Sequence, residues 1–421
     1  MMAPSLFGST RWVSLRGKVA RAFAGQNRLP VYELKKTSVE KKYGRVRPLP
    51  SVSSEVKFGA WRLAHALAKT DCAHSPSSEV LWLGTVGFLL AHAHLFDWSS
   101  KELRLNEGMS NFYADFTRTG LAGRIAQGMA LLFLEDRGYA YVGRFEAEGK
   151  RQALAQKKPW PTGKFKAPDF IAEDKANQWI LAESKGSLVS PSSQPNIKGV
   201  LNDALGQLDG WDTFFTPQPA KSFAIGTFLR EHNDPDTETS LIAFVDPEPE
   251  PPQDPVQFPR DLVRRANYAS WLSLMGFDDA ADKLRTHAGD GVRREVPVIR
   301  LAGHDYAFTV SAIAPKQRDL SGRAFWRDFQ NWPFWLYPGD IRIEVIGIDL
   351  NVLHTVGSAI LSPSSGELME LLPNVDRTVN GEFDGGGFIG SVFSDGSLLG
   401  EMTLRRSSKP FPDFDWTEVT L

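Results

Sequence analysis

Residues 167–187 read APDFIAEDKANQWILAESKGS, two short apolar runs that each carry an acid, the second ending in Glu183, Ser184 and Lys185. A half-buried strand alternates its side chains between faces, so Glu183 and Lys185 point one way while Ala182 and Ser184 point the other. The polar turn DKAN between the runs predicts a hairpin. Asp169, near the start of the first strand, then meets Glu183 and Lys185 across the ladder. Two converging carboxylates, Asp169 and Glu183, can hold Mg²⁺ or Mn²⁺, hard ions that fill their remaining positions with water and substrate phosphate. A lysine beside them can orient a nucleophilic water and offset charge on a pentavalent phosphate.

The elements that must position these groups are readable on either side. A helix is predicted from about Thr119 to Arg137, where Leu121, Ile125, Met129, Leu132 and Phe133 form one stripe and Gly138 supplies the stop. YAYVGRF reads as a strand, followed by a basic loop containing Lys150, Arg151, Lys157 and Lys158. After the hairpin and a Ser/Pro-rich loop, Pro195 opens a second helix whose Ile197, Val200, Leu201, Ala204, Leu205, Leu208 and Trp211 recur at helical intervals. SFAIGTFLR and SLIAFVD are two more strands. The order from Thr119 is helix, three strands, helix, strand, strand.

Pro168-Asp169, thirteen intervening residues, then Glu183-Ser184-Lys185 resembles the signature of the PD-(D/E)XK nuclease superfamily, and the order of elements is similar to that superfamily's αβββαβ, restriction-endonuclease-like core. The resemblance covers roughly residues 115–246. It implies Mg²⁺-dependent endonucleolytic hydrolysis of phosphodiester bonds, usually of DNA, with Asp169 and Glu183 as metal ligands and Lys185 as the catalytic lysine. Pro-Asp also occurs at 235–236 and 412–413, and Glu-x-Lys at 33–35 and 40–42, but only the 168–185 pair lies on adjacent predicted strands flanked by helices. Many members place an acid on the first helix about eleven residues before a Gly-Tyr; here that count from Gly138-Tyr139 lands on Gln127, an amide that either binds the metal or its water through oxygen or is structural. Glu135 is an alternative source of the missing charge. Gln207 and Trp211 are similar to a Gln-x-x-x-Tyr element of the exonuclease-like branch, which gives Gln207 a substrate contact and leaves Trp211 to the core. Lys198, one turn into that helix, either contacts phosphate or is solvated.

The whole chain is longer than one ordinary core needs. At 421 residues, with 42% hydrophobic and 11% aromatic content, it is a folded α/β protein of two or three domains. The 48 Lys and Arg against 50 Asp and Glu leave almost no net charge, so a nucleic-acid partner must be met by a local patch. Residues 1–50 are such a basic arm, a solubilising tail or a phosphate contact; 51–110 read as a helical region, 111–246 as the nuclease-like domain, and 247–259 as an acidic, proline-rich linker. Residues 260–421 form an α+β domain suited to recognition or oligomerisation. Such an arrangement resembles bacterial restriction or anti-phage defence effectors; a degenerate nuclease fold serving as a nucleic-acid-binding or assembly subunit is the alternative. The single Cys72 excludes an intramolecular disulfide and a multi-cysteine zinc site and fits a reducing, cytoplasmic setting. The longest apolar stretch, Val80 to Phe96, is broken by Gly84, Gly87, His92 and His94, so no membrane span is expected. GGGFIG at 385–390 reads as a strand connection rather than a dinucleotide loop, and Glu344 and Asp349 as the solvent face and end of a strand.

Overall fold

The computed structural model describes residues 26–40, 46–71, 84–161, 166–190, 193–231, 239–247, 255–286, 289–311, 341–361, 368, 381–385, 387–404 and 414–421. In chain order the first part comprises β1 (Asn27–Leu34), α1 (Lys36–Glu40), β2 (Ser54–Phe58), α2 (Ala60–Asp71), α3 (Val86–His92), α4 (Asp115–Asp136), β3 (Tyr141–Arg144), α5 (Phe145–Ala155), β4 (Phe170–Glu173), β5 (Trp179–Leu188), α6 (Ile197–Leu208), β6 (Phe215–Thr216), β7 (Lys221–Leu229), β8 (Leu241–Val245) and β9 (Val256–Gln257). The second comprises α7 (Leu262–Leu274), α8 (Asp278–Thr286), β10 (Arg293–Leu301), β11 (His304–Ser311), β12 (Ile341–Asp349), α9 (Leu350–Leu361), β13 (Gly381–Gly385), β14 (Phe388–Val392), β15 (Ser397–Leu404) and β16 (Asp415–Thr420).

The protein is a mixed α/β structure built on two large sheets. The first runs β2-β1-β8-β7-β5-β4-β3, with β1–β8 and β5–β7 parallel and the other pairs antiparallel. The second, β13-β14-β15-β12-β11-β10-β16, is antiparallel throughout. Residues 1–25 and 41–45 of the expected basic arm lie outside the described residues, but 27–34, counted in that arm, form β1 inside the first sheet. Its alternation buries Asn27, Leu29 and Val31, and Leu34 is buried out of phase at its end. The region read as helical from residue 51 opens with a strand instead, because Ser54–Phe58 pair with β1, and its first helix begins at Ala60. Of the basic loop expected after β3, Lys150 and Arg151 lie instead in a helix, α5, whose Phe145, Gly149 and Ala153 repeat every four residues on the buried side, while Lys157 and Lys158 follow it.

Local chemistry explains the elements nearest the quoted hairpin. Glycine ends α4: Gly138 sits at φ 92°, its N–H reaches Glu135 O at 3.0 Å and the next N–H, of Tyr139, reaches Leu134 O at 3.0 Å. The β4–β5 turn is held by Asp174, whose carboxylate accepts from Gln178 N at 2.8 Å, while Asn177 takes the left-handed conformation at φ 66°. Asn196 caps α6 by accepting from Gly199 N at 3.1 Å. Across the sheet, Gly186 lets α4 approach β5 so closely that a Cβ there would meet Ala122 O at 2.0 Å.

The proline-rich segment at 247–259 does not separate two cores. One apolar cluster runs from Leu29 through Phe133 and Trp271 to Ile346 and Leu421, and a smaller one covers the opposite face of the second sheet around Tyr306, Phe308 and Phe388. Helix α7 is wedged between the sheets. On one side its Asn267 Oδ1 accepts from Val142 N (3.2 Å) of the edge strand β3, and Arg264 pairs with buried Glu173 at 2.7 Å. On the other, Tyr268 OH donates to Asp395 O (3.0 Å) and Trp271 Nε1 to Gly347 O (2.6 Å). Between α2 and the β14–β15 turn, Lys69 and Asp395 form a buried ion pair at 2.7 Å, and Asp395 also accepts from Asn267 Nδ2 at 2.8 Å and Ser397 Oγ at 2.6 Å. Asp349 ends β12 as expected and, buried there, also caps α9, accepting from Asn351 N (2.9 Å) and Val352 N (3.2 Å). The solvent-face expectation for Glu344 changes. Glu344 is partly buried opposite Glu401 in the β12–β15 ladder.

Candidate active site

The antiparallel register pairs Phe170 with Ala182, which sets Asp169, just before β4, level with Glu183 on β5. Asp169 N donates to Glu183 Oε2 at 3.0 Å, and Ser184 N donates to Asp169 Oδ2 at 3.1 Å, so each carboxylate is held by the other strand's backbone. Lys185 Nζ donates to Glu183 Oε1 at 2.6 Å and to Gln207 Oε1 on α6. Glu183 is 1% exposed, whereas the Lys185 side chain is 29% exposed, so the group opens to solvent at its lysine edge. Asp169 is half-buried.

The approach to Asp169 is held by aromatic residues. Trp211, buried as expected, donates from Nε1 to Lys166 O at 3.0 Å and packs edge-on against Phe145, whose N–H reaches Asp169 O at 3.3 Å. Trp211 therefore belongs to the support of the site as well as to the core.

Burial, followed by repulsion from Asp169, pushes Glu183 up to about 7 against the opposing pull of Lys185. Burial also raises Asp169, against the Ser184 N–H, the Arg144 guanidinium, Lys185 and Gln127. Two acids held together at a partly dry point resist joint ionisation, and a divalent cation relieves that repulsion. Among the described residues no group of three or more His, Cys, Asp and Glu gathers to hold a metal. The two-carboxylate set fits Mg²⁺ or Mn²⁺, which need few protein oxygens, and does not fit a closed structural zinc site. His92 and His94 do not form one: His92 Nδ1 is engaged with Phe88 O at 2.8 Å.

Gln127 reaches the site from α4, but through its amide nitrogen, which donates to Asp169 Oδ1 at 3.3 Å. In this arrangement it steadies the carboxylate and adds no anionic ligand. Glu135 does not supply the missing charge. It lies two turns further along α4, buried, with Oε1 accepting from Ser394 N at 2.8 Å and the Lys69–Asp395 pair beside it. Lys198 and Gln207 are about 180° apart around α6 at 3.6 residues per turn, so Lys198 lies on the opposite flank of the helix, with Asn202, which bonds Val39 O at 3.1 Å. Only Gln207 joins the site.

The basic stretch after β3 is mostly engaged within the fold. Lys150 pairs with Glu146 and Arg151 with Glu148 along α5, and Lys158 Nζ donates to Pro255 O at 3.3 Å. Lys157, exposed at φ 53°, keeps its ammonium in solvent. Arg144, at the end of β3, was not singled out by the sequence, although its place as the last residue of the YVGR strand put it beside the hairpin.

A cleft of about 780 Å³ at the far end of α4, lined by Lys57, Arg62, Asp136, Arg137, Tyr139 and Lys221 among others, contains none of the hairpin residues. The glycine-rich 385–390 segment does connect two strands, β13 and β14. Among the described residues no helix is long and apolar enough to cross a membrane. Comparison with family models, curated proteins and solved structures finds no match, so the site is read from its own geometry.

Proposed function

We propose that the protein is a divalent-metal-dependent nuclease that hydrolyses phosphodiester bonds, with DNA as the first substrate to test. The observation that carries this reading is the meeting of Asp169, Glu183 and Lys185 at one solvent-reachable point, with both carboxylates fixed by backbone N–H groups. The succession α4, β3, β4, β5, α6, β7 supports it, with α5 inserted after β3 and the two-residue β6 before β7.

Asp169 and Glu183 would hold Mg²⁺ or Mn²⁺, which supplies Lewis acidity toward a phosphoryl oxygen and lowers the pKa of a bound water. The other roles fall to the chain itself. Lys185 has three N–H donors, of which Glu183 and Gln207 take two; the third is left for the attacking water or a phosphoryl oxygen. Gln207 keeps that ammonium over the carboxylates, and Gln127 keeps Asp169 turned toward Ser184 N. Recognition or assembly through the second sheet, a role in restriction or anti-phage defence, and a cytoplasmic setting belong to the same proposal.

One observation favours a second reading, a nucleic-acid-binding or assembly subunit without turnover: the α4 position near Asp169 carries an amide instead of an acid. Plasmid nicking with Mg²⁺ and Mn²⁺ separates the two. Wild type should nick, and Asp169→Ala, Glu183→Ala and Lys185→Ala should each lose about 10²-fold or more while their circular dichroism stays native. Binding without nicking under either metal would establish the second reading.

A further inference from the structure

The site has two cations, and they are differently employed. Lys185 is committed to Glu183 and Gln207. Arg144 faces Phe170 in the β3–β4 ladder, one residue from Asp169, and among the described residues its guanidinium makes no hydrogen bond or ion pair. The guanidinium lies over the Phe170 ring, 5.8 Å from its centroid.

Side-chain alternation separates the two cations. Directly paired residues share a face, so Arg144 belongs with Phe170 and Ala182, while Glu183 and Lys185 belong to the opposite face. The carboxylate pair at the strand ends is thus flanked from both faces of the sheet. The field of Arg144 reaches Asp169, where it works against the effect of burial. A half-buried arginine with unspent donors beside two acids is poised for an oxyanion, because its planar fork matches phosphate oxygens two at a time. The charge count agrees: with the two carboxylates offset by a divalent cation, Lys185 offsets one of the two negative charges of a pentavalent phosphate and Arg144 would offset the other.

We propose that Arg144 is a substrate-contact residue that grips a non-bridging phosphate oxygen from the face of the sheet opposite Lys185. This rests on the nuclease reading for its catalytic part, and on nucleic-acid binding alone for its contact part.

The test uses the full chain and a fluorescein-labelled DNA duplex, with Arg144→Met to keep an apolar stem on Phe170 and Arg144→Lys to keep the charge. Binding is followed by anisotropy in Ca²⁺ across a salt series, and nicking in Mg²⁺. Arg144→Met should lower the slope of log K against log salt by about 0.9, one phosphate contact, and reduce kcat about 10²-fold, with melting unchanged within a few degrees. Arg144→Lys should restore the slope but only part of kcat. An unchanged slope and kcat in Arg144→Met, with an active wild type, would overturn the inference and leave the nuclease reading standing. A wild type that binds but never nicks would remove the nuclease reading while the slope still decides the contact. Absence of DNA binding by wild type would remove both.

Discussion

Lys69→Met probes the buried ion pair that joins the two sheets. In the wild type the Lys69 and Asp395 side chains are 4% and 0% exposed, and burial pushes the Asp395 carboxyl up. Lys69, Asn267 and Ser397 outweigh that and hold it at about 2, below the ordinary 3.8. A depressed carboxyl contributes stability above its unfolded pKa and loses it as pH falls through the folded one. The shift corresponds to roughly 2–3 kcal/mol, present above pH 3.8 and lost toward pH 2. Removing the ammonium strands a fully buried carboxylate, which costs about 3–5 kcal/mol near neutral pH, a large part of the 5–15 kcal/mol typical of a domain. Without Lys69, the burial that pushes Asp395 up loses its largest opponent, so the sign is expected to reverse: the variant should lose stability as pH rises. Urea unfolding followed by tryptophan fluorescence and far-UV circular dichroism measures this at pH 5 and pH 8. The deficit relative to wild type should shrink from pH 8 to pH 5, and adding Asp395→Asn should recover part of it. A deficit under about 1 kcal/mol at pH 8, or one that does not shrink at pH 5, would refute the assignment of a buried charged pair.

Gly186→Ala places a methyl within 2.0 Å of Ala122 O, so α4 must move off β5. It should cost about 1–3 kcal/mol in urea unfolding and, by drawing Gln127 from Asp169, reduce nicking more than the stability loss accounts for; native-like activity would show that the helix position does not matter to the site. Glu344 is pushed up to about 8 by burial and then by Glu401. A raised carboxyl destabilises the fold progressively from pH 4.5 to 8, so Glu344→Gln should raise the melting temperature at pH 9 and leave it unchanged at pH 4. An equal gain at both values would exclude charge as the cause.

The hairpin and its three chemical groups were legible because every signal involved is local. Alternation over four to ten residues sets the faces, DKAN sets the turn, and the register then follows from loop length. The helix carrying Gln207 was legible from its unbroken apolar stripe, whereas Gln207 itself was singled out only by the Gln-x-x-x-Tyr resemblance. What escaped depends on distant partners or on charge masking a pattern. Strand β1 hides in a basic stretch, and its parallel pairing with β8 joins residues about two hundred positions apart. The apolar spacing of α5 is diluted by Glu146, Glu148, Lys150 and Arg151, which pair with one another instead of forming a basic loop. Glu135 and Lys198 look as available in sequence as any acid or lysine; only the packing of α2 and α1 beside them shows where they point.

Helix α7 seals the open edge of β3 and supplies the counter-charge for Glu173. A fragment ending in the proline-rich segment would keep every residue of the hairpin yet lose that cover. It would expose a bare strand beside an uncompensated acid, conditions that favour strand addition between molecules. Anyone excising the chemistry of the hairpin for use elsewhere must therefore carry the chain beyond Leu274 to the strands that cover the other side of α7, and shuffling the two halves among other proteins is expected to yield aggregates rather than portable modules.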